Sequence, residues 1–238
     1  MQVRRATGAD LPFLADMPDA THSEAGHPSI LIDDPRLKAI PIVESGDPLE
    51  DVRAVRLLVD GTRSAIQHIS DNPFLARRGV IDRLVRAETL LPAGVRLQVK
   101  EGWRPITVQA RIFTAFLDQL RAGQPEIDED DVRAEAVRYV APPGGVPPHS
   151  TGGAVDVVLV RDGEELDMGS PFNAPGPAAA TGAPGIARAA VERRRLMGDA
   201  LTAAGFVNYA HEWWHWSYGD RLWVYLGGKA AAIHGPIG

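Results

Sequence analysis

Two short segments of the sequence carry side chains that could bind a metal ion and move a proton. The first is His149-Ser-Thr-Gly-Gly-Ala-Val-Asp156, and the second, farther along the chain, is Glu212-Trp-Trp-His215. Two imidazoles and one carboxylate leave one position of a tetrahedral Zn²⁺ open for water, and a carboxylate that is not a ligand can accept the proton that this water loses. The residue types alone therefore suggest a zinc hydrolase.

Asp156 lies inside the apolar run Ala154–Val160, which predicts a buried strand. An ionised carboxylate there is costly unless it is paired or bound to a metal. The ordinary alternative is a salt bridge to an arginine. His149 stands seven positions upstream, and Gly152-Gly153 between them allow a sharp turn, which favours a shared metal.

Glu212 and His215 are three positions apart. Both side chains then point the same way only in a helical turn or a bend, because residues three apart in a straight strand face opposite sides. The alternative is that His215 is a hydrogen-bonded core histidine beside Trp213, Trp214 and Trp216, which we expect to be core aromatics. The two segments complement each other and are more specific together than either one alone.

Arg104 follows a predicted strand at the turn Glu101-Gly-Trp-Arg104-Pro105. Its permanent charge could stabilise the oxyanion that forms when water attacks a carbonyl, or it could simply pair with Glu101. His211 precedes Glu212 and could contact the residues that surround the metal ligands. His22, His27, His68 and His234 have no carboxylate at a telling spacing, and we interpret them as surface or packing residues.

Periodicity predicts the elements that must position these side chains. Helices are expected over Val80–Leu91, Val108–Leu120, Asp130–Val140 and Ile186–Ala204, the last ended by Gly205. Strands are expected over Val95–Lys100, Ala154–Val160, Phe206–Tyr209 and Leu222–Leu226, with a hairpin turn at Asp162-Gly163. The loop 141–148 delivers His149, and Gly169–Gly185 is a long surface loop. Residues 1–50 are predicted to form an extended N-terminal arm and residues 51–238 the catalytic domain.

Composition narrows the choice of chemistry and of partners. The 238 residues include no cysteine, which excludes thiolate ligands and a cysteine nucleophile. The net charge of −6 does not indicate the basic surface that nucleic-acid binding requires. We interpret Arg193-Arg194-Arg195 as the solvated face of a helix. Without a long apolar run, we expect a cytoplasmic protein that does not bind membranes. Its oligomeric state is not indicated.

Taken together, these motifs resemble the LAS-type zinc D,D-peptidases, in the branch of D-alanyl-D-alanine dipeptidases related to the vancomycin-resistance dipeptidase. The resemblance covers about residues 75 to 225, and it includes Gly102-Trp-Arg-Pro105, Met168-Gly-Ser170 and the approach from Arg194 to Phe206. It implies an α+β fold, a single domain with a central antiparallel sheet flanked by helices. It also implies one Zn²⁺ per chain and a small peptide substrate.

By this resemblance His149, Asp156 and His215 would ligate zinc, Glu212 would be the general base and acid, and Arg104 would stabilise the tetrahedral intermediate. The expected activity is hydrolysis of D-alanyl-D-alanine or a related dipeptide. Two alternatives remain, namely a D,D-carboxypeptidase acting on peptidoglycan stem peptides and a catalytically silent zinc-binding module.

The sequence also departs from the family pattern. Asn173 stands where those dipeptidases carry an acidic residue that binds the free amino group of the substrate, and Pro147-Pro148 precede the first ligand. A neutral amide does not replace that charge. We expect Asn173 and Ser150 to contact the substrate.

Overall fold

The chain forms eight short strands and six helices in the computed structural model, which describes residues 30–60, 74–174 and 176–237. The strands are β1 (Leu49–Asp51), β2 (Leu58–Val59), β3 (Leu75–Arg77), β4 (Val95–Glu101), β5 (Ala154–Arg161), β6 (Glu164–Glu165), β7 (Val207–Asn208) and β8 (His215–Ser217). The helices are α1 (Pro35–Lys38), α2 (Arg78–Thr89), α3 (Ile106–Gly123), α4 (Glu129–Tyr139), α5 (Arg188–Ala203) and α6 (Arg221–Gly227).

Strands β4 and β5 form the centre of the main sheet, whose order is β2-β4-β5-β8-β7, with β6 also paired to β5. Residues 154–160 of β5 are all buried, because a strand covered on both faces is built from a nearly continuous apolar run. All pairs in this sheet are antiparallel except β2 with β4, which is parallel and lies at the edge. The predicted α+β fold with a central antiparallel sheet flanked by helices is confirmed, although the edge strand β2 pairs in parallel.

Helices α2 and α5 pack against each other and against the central strands. Their apolar faces, which include Leu84 of α2 and Leu201 of α5, share one core cluster with β4 and β5. As predicted, α5 ends before Gly205, whose φ of +101° suits glycine, and the N–H of Phe206 donates to the carbonyl of Leu201.

Helices α3 and α4 form a hairpin with a hydrophobic cluster of its own. Phe113, Phe116 and Leu120 of α3 pack against Val132 and Ala136 of α4, apart from the main core. The segments before α3 and after α4 meet, because the backbone N–H of Arg104 donates to the carbonyl of His149 at 3.1 Å. The hairpin is therefore fastened beside two of the predicted site residues.

The part of the N-terminal arm that is described, residues 30–50, is not extended throughout, since it includes the helix α1. Ile30 and Leu37 are buried against Tyr209 and Leu222, so this segment packs onto the region that carries Glu212. The division of the chain at residue 50 stays a prediction.

The predicted strand Leu222–Leu226 is wrong, because this segment forms the helix α6. The Asp220 carboxylate caps the helix by accepting from the N–H of Trp223 at 2.9 Å, and Gly228 at a φ of +62° ends it. Leu222 and Val224 are both buried, which is the alternation expected of a strand. In so short a segment the helix cap at Asp220 favours the helix more strongly than this alternation favours a strand. The strand that pairs with β5 at Asp156 is β8, which contains His215.

The interpretation of Arg193-Arg194-Arg195 as a solvated face is wrong for the middle residue. Arg194 is buried and donates to the carbonyls of Met168 at 2.7 Å, Ala178 at 2.7 Å and Ala180 at 2.5 Å. Burial lowers the pKa of this guanidinium to about 10, although Asp167 opposes the shift. Arg194 thus fastens the predicted long loop to α5.

Other expectations concern membranes and the remaining histidines. No helix within the described ranges has both the length and the apolar character needed to cross a membrane.

His234 is buried as a packing residue, with Nδ1 3.0 Å from the carbonyl oxygen of Tyr218. His22, His27 and His68 lie outside the described residues.

Candidate active site

Three polar residues form a row across the centre of the sheet. Asp156 of β5 is paired directly with Glu101 of β4 on one side and with His215 of β8 on the other. Side chains of directly paired residues project from the same face of a sheet. The strand register therefore brings together residues that are far apart in the sequence.

His149 reaches this row from a 3₁₀ turn over Pro148–Thr151. The turn ends at Gly152, whose φ of +69° favours glycine, and a Cβ there would lie 2.7 Å from Cδ2 of Leu49, so another residue would also require that side chain to shift. Nδ1 of His149 lies 2.7 Å from the carbonyl oxygen of Gly102. Because that carbonyl can only accept, Nδ1 carries a proton, and Nε2, which lies 3.3 Å from Oδ1 of Asp156, is the ring nitrogen left to bind a metal.

His149, Asp156 and His215 each offer one ligand atom, and these atoms all lie within 4.8 Å of one another. Nδ1 of His215 is 3.2 Å from Oδ1 of Asp156. All three residues are buried, and Asp156 contacts the two imidazoles instead of an arginine, contrary to the ordinary alternative. Two neutral imidazoles and one carboxylate are a donor set that fits Zn²⁺.

The surroundings keep Asp156 ionised. Burial favours the neutral acid, but the neighbouring imidazoles of His149 and His215 outweigh it and hold the pKa of Asp156 well below its usual range. Nε2 of His215 is buried without a hydrogen-bond partner among the described residues. A buried histidine that serves only for packing normally has hydrogen-bond partners at its ring nitrogens. In His215 the contact of Nδ1 with Asp156 is therefore the interaction that orients the ring. Trp213, Trp214 and Trp216 are buried core aromatics, as predicted.

Glu212 stands beside the ligands on a backbone bend. The N–H of Glu212 donates to the carbonyl of Tyr209, and the N–H of His215 donates to the carbonyl of Glu212, which gives the predicted bend. Oε2 of Glu212 lies 3.8 Å from Nδ1 of His215, and 28% of its side chain is exposed. Burial raises the pKa of Glu212 to about 7, with His215 lowering it and Asp156 raising it. This value suits a group that takes up and releases a proton near neutral pH.

Arg104 pairs with Glu101 and also lies where a bound substrate could contact it, so the structure is compatible with both interpretations of this residue, the ion pair and the oxyanion donor. It does pair with Glu101, through Nε at 2.6 Å and Nη2 at 2.7 Å, and Nη1 also donates to Oε1 of Gln109 at 2.7 Å. Nevertheless it lines the same cavity as the candidate ligands. Burial opposes its charge, but Glu101, Asp156 and Glu212 outweigh burial and hold the pKa of Arg104 above its usual value.

A cavity of about 470 Å³ joins these groups. Its polar lining includes Arg104, Gln109, His149, Asp156, Asn173, His211, Glu212 and His215. Asn173 adopts a φ of +60° there, and His211 packs against the Tyr209 ring at a centroid distance of 5.1 Å. Ser150, by contrast, is fully buried, is not part of the lining, and its hydroxyl has no hydrogen-bond partner among the described residues. The predicted substrate contact of Ser150 finds no support in this geometry.

Gln109 and Tyr209 belong to the site but were not predicted from the sequence. Gln109 is buried and connects Arg104 to the carbonyl of Ala141 at 2.6 Å. Its signal is a polar residue on the apolar stripe of α3, four positions before Phe113. Tyr209 is also buried, and burial, reinforced by Glu212, raises the pKa of its hydroxyl far above its usual value.

Several known proteins are similar to this chain. The family model Peptidase_M15, described as D-ala-D-ala dipeptidase, matches residues 60–228. A D-alanyl-D-alanine dipeptidase of Synechocystis sp. is 29% identical over 222 residues, covering 79% of this chain and 88% of that protein. One of Enterococcus faecium is 30% identical over 164 residues, covering 63% and 76% respectively. Among solved structures, VanYB in complex with D-Alanine-D-Alanine is 20% identical with a TM-score of 0.43, covering 66% of this chain and 80% of that one.

Proposed function

Because the chain belongs to the D-alanyl-D-alanine dipeptidase family of zinc metallopeptidases, we propose that it hydrolyses D-alanyl-D-alanine or a related small dipeptide. One observation carries this proposal. Three buried ligand residues, a partly exposed carboxylate and a buried guanidinium line a single cavity. A hydrolase that attacks a peptide carbonyl with metal-activated water can use this combination, because the metal activates the water, the carboxylate accepts its proton and the guanidinium stabilises the oxyanion.

His149, Asp156 and His215 are the residues that would hold the metal. When bound there, zinc would supply an acidified water molecule and would polarise the carbonyl of the scissile peptide bond. The protein contributes the fixed orientation of the ligands. The carbonyl of Gly102 holds the ring of His149, and the strand register holds Asp156 opposite His215.

Glu212 is the proposed proton carrier. Its carboxylate accepts a proton from the attacking water, and it returns a proton to the leaving amine nitrogen as the C–N bond breaks. The position of Glu212 supports this role, because its side chain lines the cavity and is more exposed than the three ligand residues. One water molecule is consumed, and two free amino acids leave.

Arg104 is the proposed donor to the carbonyl oxygen. A guanidinium has five N–H groups, and Glu101 and Gln109 take three of them in the described structure. The remaining N–H groups can donate to the oxygen as negative charge develops on it. Glu101 fixes the plane of the guanidinium, so this donor is oriented before the substrate binds.

Release of free alanine by the zinc-loaded protein tests the proposal. The unmodified protein should hydrolyse D-alanyl-D-alanine, and Glu212→Ala should lower kcat by roughly a hundredfold or more, since general acid–base catalysis contributes about that factor. Folded, zinc-loaded protein that hydrolyses no dipeptide would refute the proposal. Turnover that is unaffected by Glu212→Ala would refute the assigned role.

A second candidate is a D,D-carboxypeptidase that acts on peptidoglycan stem peptides. Asn173 in the cavity lining favours it, because a neutral amide does not select a charged amine. Comparison of free with N-acetylated D-alanyl-D-alanine separates the two functions, since only the carboxypeptidase should accept the blocked amine well.

A silent zinc-binding module is less well supported. A purely structural zinc site needs neither a free carboxylate nor an oxyanion donor, and Glu212 and Arg104 both line the cavity. Four protein ligands on the bound metal would favour that alternative. The cytoplasmic location stays a prediction, and cell fractionation would test it.

A further inference from the structure

The cavity extends beyond the reacting groups along the α3–α4 hairpin. On α3, Gln109 contacts Arg104, and Ile112 and Phe116 lie about one and two turns farther along the same helix. At 1.5 Å per residue, Phe116 is about 10 Å along the helix axis from Gln109. An alanine substrate has only a methyl group to bury against this side of the cavity, which we call the hairpin wall.

The wall is apolar and remains partly accessible. Ile112, Val137, Tyr139 and Val140 are only partly buried, and all of them line the cavity together with Phe116. The hairpin has a separate cluster of its own, in which Phe113, Leu117 and Leu120 are buried. Phe116 belongs to that cluster, and Val137, Tyr139 and Val140 pack against it, but these four residues also line the cavity and present surface to it. Concave apolar surface beside convergent polar groups is the usual form of a binding site for a small molecule.

From this geometry, and resting on the proposed dipeptidase function, we propose that the hairpin wall is a specificity pocket for a large aliphatic side chain on one residue of the dipeptide. The cavity volume of about 470 Å³ lies in the range that ordinarily holds ligands larger than an alanine dipeptide. Burial of the additional carbons of leucine against this wall favours a leucine-containing substrate by roughly tenfold or more.

The test compares kcat/KM for D-Ala-D-Ala, D-Ala-D-Leu and D-Leu-D-Ala with the zinc-loaded protein. At least one leucine dipeptide should exceed D-Ala-D-Ala by about tenfold. Calorimetric titration of the Glu212→Gln variant with the same three dipeptides should give the same order of affinity without turnover.

A cavity-filling variant ties the preference to the hairpin. Ile112→Trp should reduce the ratio of kcat/KM for the preferred leucine dipeptide over D-Ala-D-Ala. The matched control Val191→Trp, at an exposed position of α5 outside the cavity lining, should leave both values unchanged. If Ile112→Trp does not fold, Val137→Trp provides the same test from α4.

The outcomes separate this inference from the proposed function. Hydrolysis of D-Ala-D-Ala in preference to both leucine dipeptides overturns the inference and leaves the function in place. A higher kcat/KM for N-acetyl-D-Ala-D-Ala than for the leucine dipeptides also overturns it, because the wall would then hold a preceding part of a longer peptide. Hydrolysis of none of these compounds overturns the proposed function itself.

Discussion

Arg104 and Glu101 form a buried pair with two parallel hydrogen bonds, at 2.6 Å and 2.7 Å, directly beside the candidate metal ligands. Glu101 is also the strand partner of Asp156. The pair thus links the guanidinium that faces the cavity to the strand that carries a candidate ligand. An ion pair of this kind is common on protein surfaces, but here it is buried and orients a guanidinium next to the candidate metal ligands.

Glu101→Gln should lower kcat by roughly tenfold or more, because a neutral amide no longer holds the plane of the Arg104 guanidinium. Zinc content should stay unchanged, since Glu101 is not among the candidate ligands. Steady-state kinetics together with metal analysis checks this. Glu165→Gln is the matched control, because Glu165 is an exposed carboxylate that pairs with Lys100 outside the cavity lining. An unchanged kcat in Glu101→Gln would show that the pair is only structural.

Asp156→Asn and His149→Ala should each bring zinc content from one ion per chain to well below one, because each removes one of three protein ligands. Glu212→Gln and Arg104→Lys should keep one ion per chain while losing activity. Metal analysis of dialysed, folded protein measures the stoichiometry. Loss of zinc from Glu212→Gln would make Glu212 a ligand and contradict its role as the base.

The stability of the metal-free protein should fall as pH rises from about 4.5 to about 7. In this range folded Glu212, with its pKa raised by burial to about 7, holds a proton that the unfolded chain, with a pKa of 4.5, has already released. Stability from this group is therefore complete below the unfolded pKa and lost as pH rises through the folded pKa.

Comparison with Glu212→Gln isolates this contribution. Between pH 5 and pH 8 the free energy of unfolding should fall by about 1 to 3 kcal/mol more in the unmodified protein than in the variant. One pKa unit corresponds to about 1.4 kcal/mol, and partial exposure of the side chain reduces the effect. Urea unfolding of EDTA-treated protein at pH 5 and pH 8 measures the difference. Equal pH dependence in both proteins would contradict the raised pKa.

Arg194→Met should destabilise the fold by about 2 to 4 kcal/mol, because it leaves the loop carbonyls of Met168, Ala178 and Ala180 without their buried donor. The neighbouring substitution Arg195→Met is the matched control. Arg195 is exposed and lies 3.6 Å from Asp199, so its loss should change stability by less than about 0.5 kcal/mol. Denaturant unfolding checks both, and equal effects would mean that Arg194 does not fasten the loop.

Asn173→Asp should raise the preference for a free over an N-acetylated dipeptide. The new carboxylate would lie in the cavity lining and could pair with the substrate ammonium group. The ratio of kcat/KM for D-Ala-D-Ala to that for its N-acetyl form should increase by about tenfold. The isosteric exchange disturbs packing little, so an unchanged ratio would place the amine elsewhere in the cavity.

The candidate ligands, the candidate base and most of the helices and strands that carry them can be predicted from the sequence alone. An aspartate inside an apolar strand, a histidine before two glycines and a Glu-Trp-Trp-His bend are local patterns, and local backbone geometry and burial are enough to interpret them. For the same reason the long helices and the two central strands agree with their predicted positions.

Only the tertiary structure decided which residues meet. The register that places Asp156 between Glu101 and His215 depends on pairing between distant strands, and sequence periodicity carries no information on strand partners. Buried Arg194 among exposed arginines, Gln109 bound to Arg104, and the apolar wall of the hairpin likewise follow from packing between distant segments. Leu222–Leu226 became a helix because Asp220 caps it, and in so short a segment a single cap outweighs the apolar alternation.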